Sequence, residues 1–198
     1  AQTMMRALKL DAVLLTTETN VRYFSGYFTQ FWQSPTRPWF LILPLTGKPI
    51  AVIPTIGVVG MSNTWVEDIR AWPSPFPEDD GVSLLSQTLA ELPKRFGRLG
   101  MTLGRETHLR MPQQQVQSLY ASNHFDLVDV SREVLHLRSL KSAAEINRVA
   151  HICGVTSNAF AELPNFARIG MTEREVVAAF RMELLRQGAD HSPFIVSS

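Results

Sequence analysis

The sequence predicts an α/β fold, in which helices cover a mixed β-sheet, followed by the opening of a second unit. Short apolar runs alternate with helical patterns between residues 11 and 130, which is typical of a sheet with helices packed on it. Two of these runs flank Gly47, which suits the positive φ of a tight hairpin turn. Near residues 137–146 the short runs stop and two long helical patterns begin. This change indicates a domain boundary.

Composition and charge are ordinary for a globular protein. The 198 residues are 45% hydrophobic and 19% charged, and the net charge of +1 gives no electrostatic reason to expect nucleic acid or an anionic membrane as a partner. No run approaches the roughly 20 consecutive apolar residues of a spanning helix, and the first residues lack the apolar core of a signal peptide. We therefore expect a cytoplasmic protein with no nucleic-acid partner and no membrane partner.

Six runs are predicted to be strands, because each is apolar, partly β-branched and bounded by turn residues. They are residues 11–17, 39–44, 49–54, 66–72, 98–104 and 125–130. Helices are predicted up to residue 10, over 82–92 and over 113–120, with at most one helical turn in 20–27. Asp79 and Asp80 precede the second of these helices, and we interpret them as a cap rather than as a metal site.

Two capping boxes mark helix starts after the boundary. Ser142 is followed three residues later by Glu145, and Thr172 by Glu175, so each pair can satisfy backbone N–H groups of a first helical turn. The first of these helices carries an apolar stripe that includes Cys153, which we expect to be a small buried side chain. Because Cys153 is the single cysteine, no internal disulfide and no Cys-rich metal site can form.

The two parts of the chain differ in completeness. We expect residues 1–136 to form a whole α/β domain and residues 137–198 to be the incomplete beginning of a second one, with a strand starting at His191. Two helices and one strand, about 60 residues, cannot bury a core of their own. This part must either dock on the first domain or belong to a truncated larger domain, and we favour the second interpretation.

No catalytic motif is present in the sequence. There is no Gly-rich phosphate loop, no His-Glu-x-x-His pair and no Gly-x-Ser-x-Gly turn. The five histidines show no metal-ligand spacing. We therefore predict no catalytic residue and no metal ligand in this chain.

One loop is unusual for its aromatic content. Residues 31–39, here called the aromatic segment, place Phe31, Trp32 and Trp39 around Arg37, and two prolines stiffen them. A guanidinium group can bind a carboxylate bidentately, and aromatic faces suit an apolar or cationic group. Alternatively, Trp39 begins a core strand, Trp32 closes the edge of the domain, and Arg37 forms a structural ion pair or stacks on a ring. The same residue types also favour a protein interface.

Four segments resemble the creatinase/prolidase family of two-domain "pita-bread" proteins. The segment Leu-Arg-Ser-Leu-Lys-Ser-Ala-Ala-Glu-Ile, residues 137–146, is similar to the family's interdomain segment. Residues 20–27 carry an Asn…Tyr-x-x-Gly-Tyr pattern similar to the family's, and residues 170–176, Gly-Met-Thr-Glu-Arg-Glu-Val, fall in the matching order. Residues 188–198 look like the strand that leads into the active site.

The resemblance implies an N-terminal α/β domain followed by the first helices and strand of a truncated pita-bread α+β catalytic domain, usually in a homodimer. Peptidases of this family cleave next to proline with two divalent metal ions, of the Mn, Co, Zn or Fe class, held by two Asp, one His and two Glu. Those ligands would follow Ser198, so this chain would bind no metal and would be inactive alone.

We expect the full-length protein to be an Xaa-Pro aminopeptidase or dipeptidase acting on small peptides. A first alternative is a relative that cleaves a small zwitterion, such as the metal-using dimethylsulfoniopropionate lyase or the metal-free creatinase. A second alternative is a dimerisation or substrate-access module without catalysis.

The resemblance also implies a role for the aromatic segment. In creatinase-like dimers a loop at this place reaches the partner's active site and offers an arginine to the substrate carboxylate. Arg37 best matches that arginine, with Trp32 and Phe31 suited to a sulfonium or ammonium end and Trp39 as a further candidate.

Overall fold

The computed structural model describes residues 1–34, 37–105, 107, 109–122 and 124–193. The chain divides into two compact units, Ala1–Ser139 and Leu140–Ser198. The division predicted between residues 136 and 137 falls inside a helix that ends at Ser139. Within the described ranges, no helix combines the length and apolar character needed to cross a lipid bilayer.

The first unit contains a six-stranded mixed sheet, as predicted. Its strands are β1 (Ala12–Leu15), β2 (Phe40–Pro44), β3 (Ile50–Pro54), β4 (Asp68–Trp72), β5 (Arg98–Met101) and β6 (Asp126–Asp129). The strand order is β4-β3-β2-β1-β5-β6. Strand β2 is antiparallel to both of its neighbours, and the other pairings are parallel. The β2–β3 hairpin turns at Gly47, whose φ of +90° confirms the predicted turn.

Six α-helices and two short 3-10 helices, Gln30–Gln33 and Thr55–Gly57, accompany the sheet in the described part of this unit. The α-helices are α1 (Gln2–Leu8), α2 (Glu18–Ser25), α3 (Val58–Ser62), α4 (Val82–Ala90), α5 (Gln113–Ser122) and α6 (Ser131–Ser139). The prediction of at most one turn near α2 is wrong, and α6 was not predicted. Both helices are polar, and α6 buries only Val134, so neither shows the apolar repeat by which helices are recognised.

The core lies on both faces of the sheet. Alternate residues of β2 belong to opposite clusters: Leu41 packs with Trp39 on one face, and Phe40 and Ile42 pack with Leu85 of α4 on the other. Phe40, Leu41 and Ile42 are all fully buried. A strand buried on both faces reads as a continuous apolar run rather than as an alternating one, which explains the sequence pattern of the central strands.

A buried carboxylate joins the starts of two central strands. Asp11, which directly precedes β1, is 3% exposed. Its two oxygens accept hydrogen bonds from the backbone N–H groups of residues 95–98, at 2.7 to 3.2 Å. The backbone N–H of Asp11 in turn donates to the carbonyl of Arg98, the first residue of β5. One side chain therefore satisfies the donors of the whole turn that leads into β5.

The second unit consists of α7 (Ala143–Ala161), α8 (Leu163–Phe166) and α9 (Glu173–Arg186). Both predicted capping boxes are present, with Ser142 and Glu145 at the start of α7 and Thr172 and Glu175 at the start of α9. Of the strand predicted over residues 191–198, residues 194–198 lie outside the described part. The preceding three residues have no regular structure.

The prediction that the apolar stripe of α7 is buried is wrong. Cys153 is exposed, and Ile146 and Val149 are 56% and 53% exposed. The small core of this unit instead takes Val155 and Ala159 from α7, together with residues of α9. Within this unit, α8 and α9 pack on α7. The core that they form takes its α7 residues from the second half of that helix, whereas Ile146 and Val149 of the first half are exposed.

Replacing Asp11 by Asn is expected to lower the free energy of unfolding by about 3 kcal/mol. The Asn side chain keeps one acceptor oxygen, and its NH2 group would face backbone N–H groups that are themselves donors. Chemical denaturation of the full-length protein, followed by circular dichroism, measures this change. The matched control is Asp126→Asn on the exposed edge strand β6, with an expected change below about 0.5 kcal/mol. Equal losses of unfolding free energy in both variants would contradict this structural role of Asp11.

Candidate functional site

The aromatic segment lies at the edge of the sheet where ligands bind in α/β folds. Five strands run in one direction, and their carboxyl ends meet at the same edge as the amino end of the antiparallel strand β2. Trp39 directly precedes β2. In open α/β sheets, ligands bind in the crevice outside the carboxyl ends of the strands. We therefore take this carboxyl edge as the candidate functional site.

The two tryptophans of the aromatic segment are core residues. Trp39 is fully buried and Trp32 is 2% exposed. Their ring centroids lie 6.0 Å apart, and the ring of Tyr27 lies 5.4 Å from that of Trp39. Burial raises the pKa of Tyr27, which keeps the phenol neutral within this block. The burial of both indoles matches the alternative in which Trp32 and Trp39 are structural.

Two glycines allow the aromatic block to pack against the segment after β3. A Cβ atom on Gly57 would lie 2.2 Å from the Trp39 ring, and one on Gly60 would lie 2.6 Å from the Tyr27 ring. Non-bonded carbon atoms are in favourable contact at about 3.5 to 4.0 Å, so neither position can accept a side chain without a shift. The position of Trp39 is thus set by close backbone approach as well as by burial.

Of the four predicted site residues, Arg37 and Phe31 are the two that are partly exposed. Arg37 adopts a left-handed backbone conformation with φ of 65°. Its backbone N–H donates to the carboxylate of Asp80, which is 7% exposed. Burial raises the pKa of Asp80, and the N–H bond and charge of Arg37 act in the opposite direction. The contact fixes the backbone of Arg37 against the loop before α4.

Another arginine, which the sequence did not single out, contacts the aromatic segment. The guanidinium carbon of Arg110 lies 5.4 Å from the centroid of the Trp32 ring. Arg110 also donates to the backbone carbonyl of Ser34. Burial lowers the pKa of Arg110, and the charge of Glu18 opposes this effect. No local pattern could have revealed this contact, because Arg110 and Ser34 are 76 positions apart in the sequence.

Two of the segments that carry the sequence resemblance touch each other within the first unit. Arg138 donates to the side-chain oxygen of Asn20 at 3.1 Å. The hydroxyl of Tyr23 donates to the carbonyl of Leu137 at 3.3 Å. These contacts tie the end of α6 to α2.

A metal centre does not fit the described residues. Among them, no three His, Cys, Asp or Glu side chains lie close enough to hold a metal ion. His108 lies outside the described part of the chain. The described residues therefore do not supply the two-metal site that the resemblance implies.

The comparisons with known proteins give one family and one fold. The model of the Creatinase/Prolidase N-terminal domain matches residues 1–140. An uncharacterized peptidase of Staphylococcus saprophyticus is 26% identical to the chain over 191 residues, which are 96% of this chain and 50% of that protein. The chain thus spans about half the length of the curated relatives that it matches.

Solved structures show the same fold. The chain is similar to the Xaa-Pro dipeptidase from Bacillus anthracis, with a TM-score of 0.72, 17% identity and coverage of 96% of this chain and 48% of that one. The prolidase from Pyrococcus horikoshii has a TM-score of 0.71 at 18% identity, with the same coverage of both chains. The predicted α/β architecture, a pita-bread N-terminal domain followed by part of the next domain, is confirmed.

Substitution of Arg110 by Ala is expected to lower the free energy of unfolding by about 1–2 kcal/mol, because it removes the donor to Ser34 and the cation above Trp32. Arg110→Lys is expected to recover only part of this loss, since an ammonium group lacks the planar face that stacks on an indole. Chemical denaturation of both variants measures the difference. If Arg110→Ala is as stable as the unchanged protein, the contact has no structural role.

Proposed function

The chain belongs to the creatinase/prolidase N-terminal domain family, and from this premise we propose that it is the N-terminal part of an Xaa-Pro peptidase. The observation that carries the proposal is the match of 96% of the chain to a protein named as a peptidase. The folds of an Xaa-Pro dipeptidase and of a prolidase support the same reaction class. The activity belongs to the full-length protein, of which this chain supplies the first domain and part of the next.

The proposal extends to how this chain serves catalysis. The aromatic segment reaches the active site of a second subunit in a homodimer, and Arg37 binds the carboxylate of a small peptide there. Three features support this role: the position of the segment at the carboxyl edge, the anchoring of the Arg37 backbone by Asp80, and the partial exposure of Arg37 and Phe31. Trp32 and Trp39 act beneath them as a rigid support.

Metal dependence is a further part of the proposal. We place the two divalent ions and their ligands in the half of the protein that this chain does not include. In a two-metal site, the ions would generate a hydroxide nucleophile and polarise the scissile carbonyl. This division of labour is supported by the coverage of the relatives, since the chain spans 50% of the peptidase that it matches. Alone, this chain is expected to be inactive.

The experiment that tests the proposal is an assay of the purified full-length protein on an Xaa-Pro dipeptide and an Xaa-Pro-containing tripeptide. We expect hydrolysis next to proline, its loss on treatment with a chelator, and its recovery on addition of Mn²⁺. Dimethylsulfoniopropionate and creatine serve as competing substrates. Turnover of either in place of the peptides, or hydrolysis of the peptides by residues 1–198 alone, would contradict the proposal.

Replacing Arg37 by Ala is expected to lower kcat/KM for the peptide substrate about tenfold or more, because a charge-assisted contact to the substrate carboxylate is lost. The free energy of unfolding should change little. Arg110→Ala is the matched control, with the opposite expectation of lower stability and nearly unchanged kinetics in the folded protein. Normal kinetics together with a large loss of stability in Arg37→Ala would assign Arg37 a structural role.

A further inference from the structure

A second feature of the carboxyl edge lies outside the aromatic segment. A cavity of about 650 Å³ opens where the chain leaves β1, β5 and β6. Thr17 follows β1, Thr102 follows β5 and Ser131 follows β6, and each of them lines the cavity. Arg132, Val134, Leu135 and Arg138 of α6 also line it. The volume falls within the range of roughly 300 to 1,000 Å³ that is typical of small-molecule sites.

Among the described residues that line the cavity, the charged side chains are all arginines. Arg105, Arg132 and Arg138 contribute to its wall, and no Asp or Glu is among the described residues that line it. Arg105 and Arg132 are exposed, and neither forms an ion pair with any residue that the structure describes. Arg138 is oriented by its hydrogen bond to Asn20. Guanidinium groups stay charged at all physiological pH values, so the cavity attracts anions.

Hydrogen bonds hold the walls in place. The carboxylate of Asp129 accepts from the backbone N–H of Leu103 at 3.1 Å and of Ser131 at 2.9 Å. The backbone N–H of Gly104 donates to the hydroxyl of Ser131 at 2.8 Å. The bonds from Ser131 and Leu103 lower the pKa of Asp129, which keeps its carboxylate charged and satisfied. The loop after β5 is therefore fixed against the start of α6.

Two hydroxyl groups in the cavity wall lack hydrogen-bond partners. The Oγ1 atoms of Thr17 and Thr102 are buried, and no described residue bonds to either of them. Thr102 as a whole is 5% exposed. Because both oxygens are covered by protein atoms, neither contacts the space inside the cavity. The groups of the wall that can meet a ligand are therefore the arginines and the hydroxyl of Thr107.

We propose that this cavity binds a small organic anion through a phosphate or carboxylate group. The arginines neutralise the anionic group, and the hydroxyl group of Thr107 supplies a further donor. Val134 and Leu135 offer an apolar wall to the organic part. The site is distinct from the aromatic segment and does not depend on peptidase activity.

The test measures binding to the full-length protein by isothermal titration calorimetry. Inorganic phosphate and citrate are titrated separately at constant ionic strength, with chloride as the reference anion. The test variant is Arg105→Gln combined with Arg132→Gln. The control is Arg6→Gln combined with Arg95→Gln, which removes the same charge from two exposed arginines that do not line the cavity.

We expect saturable binding of phosphate, citrate or both, weakened at least tenfold in the cavity variant and changed less than twofold in the control. Whichever anion binds identifies the anionic group. Arg132→Gln alone, at an exposed position of α6, repeats the test if the double variant does not fold. No saturable binding above chloride, equal weakening in both double variants, or unchanged affinity in the cavity variants would overturn the proposal.

Discussion

The first unit depends on a single buried carboxylate. Asp11 accepts hydrogen bonds from the four backbone N–H groups of residues 95–98, which lie 84 to 87 positions away in the sequence. It thereby joins the start of β1 to the start of β5, and the register that follows pairs Ala12 with Leu99. Because both strands are short, this register also determines where each of them ends. These are two of the five strand ends that form the carboxyl edge.

The carboxyl edge has two parts with different chemistry. Around the amino end of β2, buried indoles form a rigid apolar base, and Arg110 lies over the ring of Trp32. Around the ends of β1, β5 and β6, arginines and hydroxyl groups surround a cavity. Rigid support suits a residue such as Arg37 that must hold one geometry, whereas an excess of positive charge suits capture of an anion. The two proposals concern different parts and stand independently.

Elements with a local physical cause could be predicted from the sequence. The six strands follow from apolar runs bounded by turn residues, and the capping boxes at Ser142 and Thr172 need only two residues three positions apart. The polar helices α2 and α6 lack such a signal, and their extents were missed. Cys153 was placed on the correct helix but on a face that the described neighbours do not cover. Periodicity predicts that a helix has an apolar face, but that face is buried only where another element packs against it.

The sequence by itself determined the α/β class, the strand order along the chain, the turn at Gly47 and the family resemblance. Only the tertiary structure decided which arginine contacts the aromatic segment, that Trp32 and Trp39 face the core, and that three arginines share one cavity. The physical reason is the range of the interactions. Caps, turns and periodic faces act within a few residues, whereas burial and charge pairing join side chains that are distant in the sequence and adjacent only after folding.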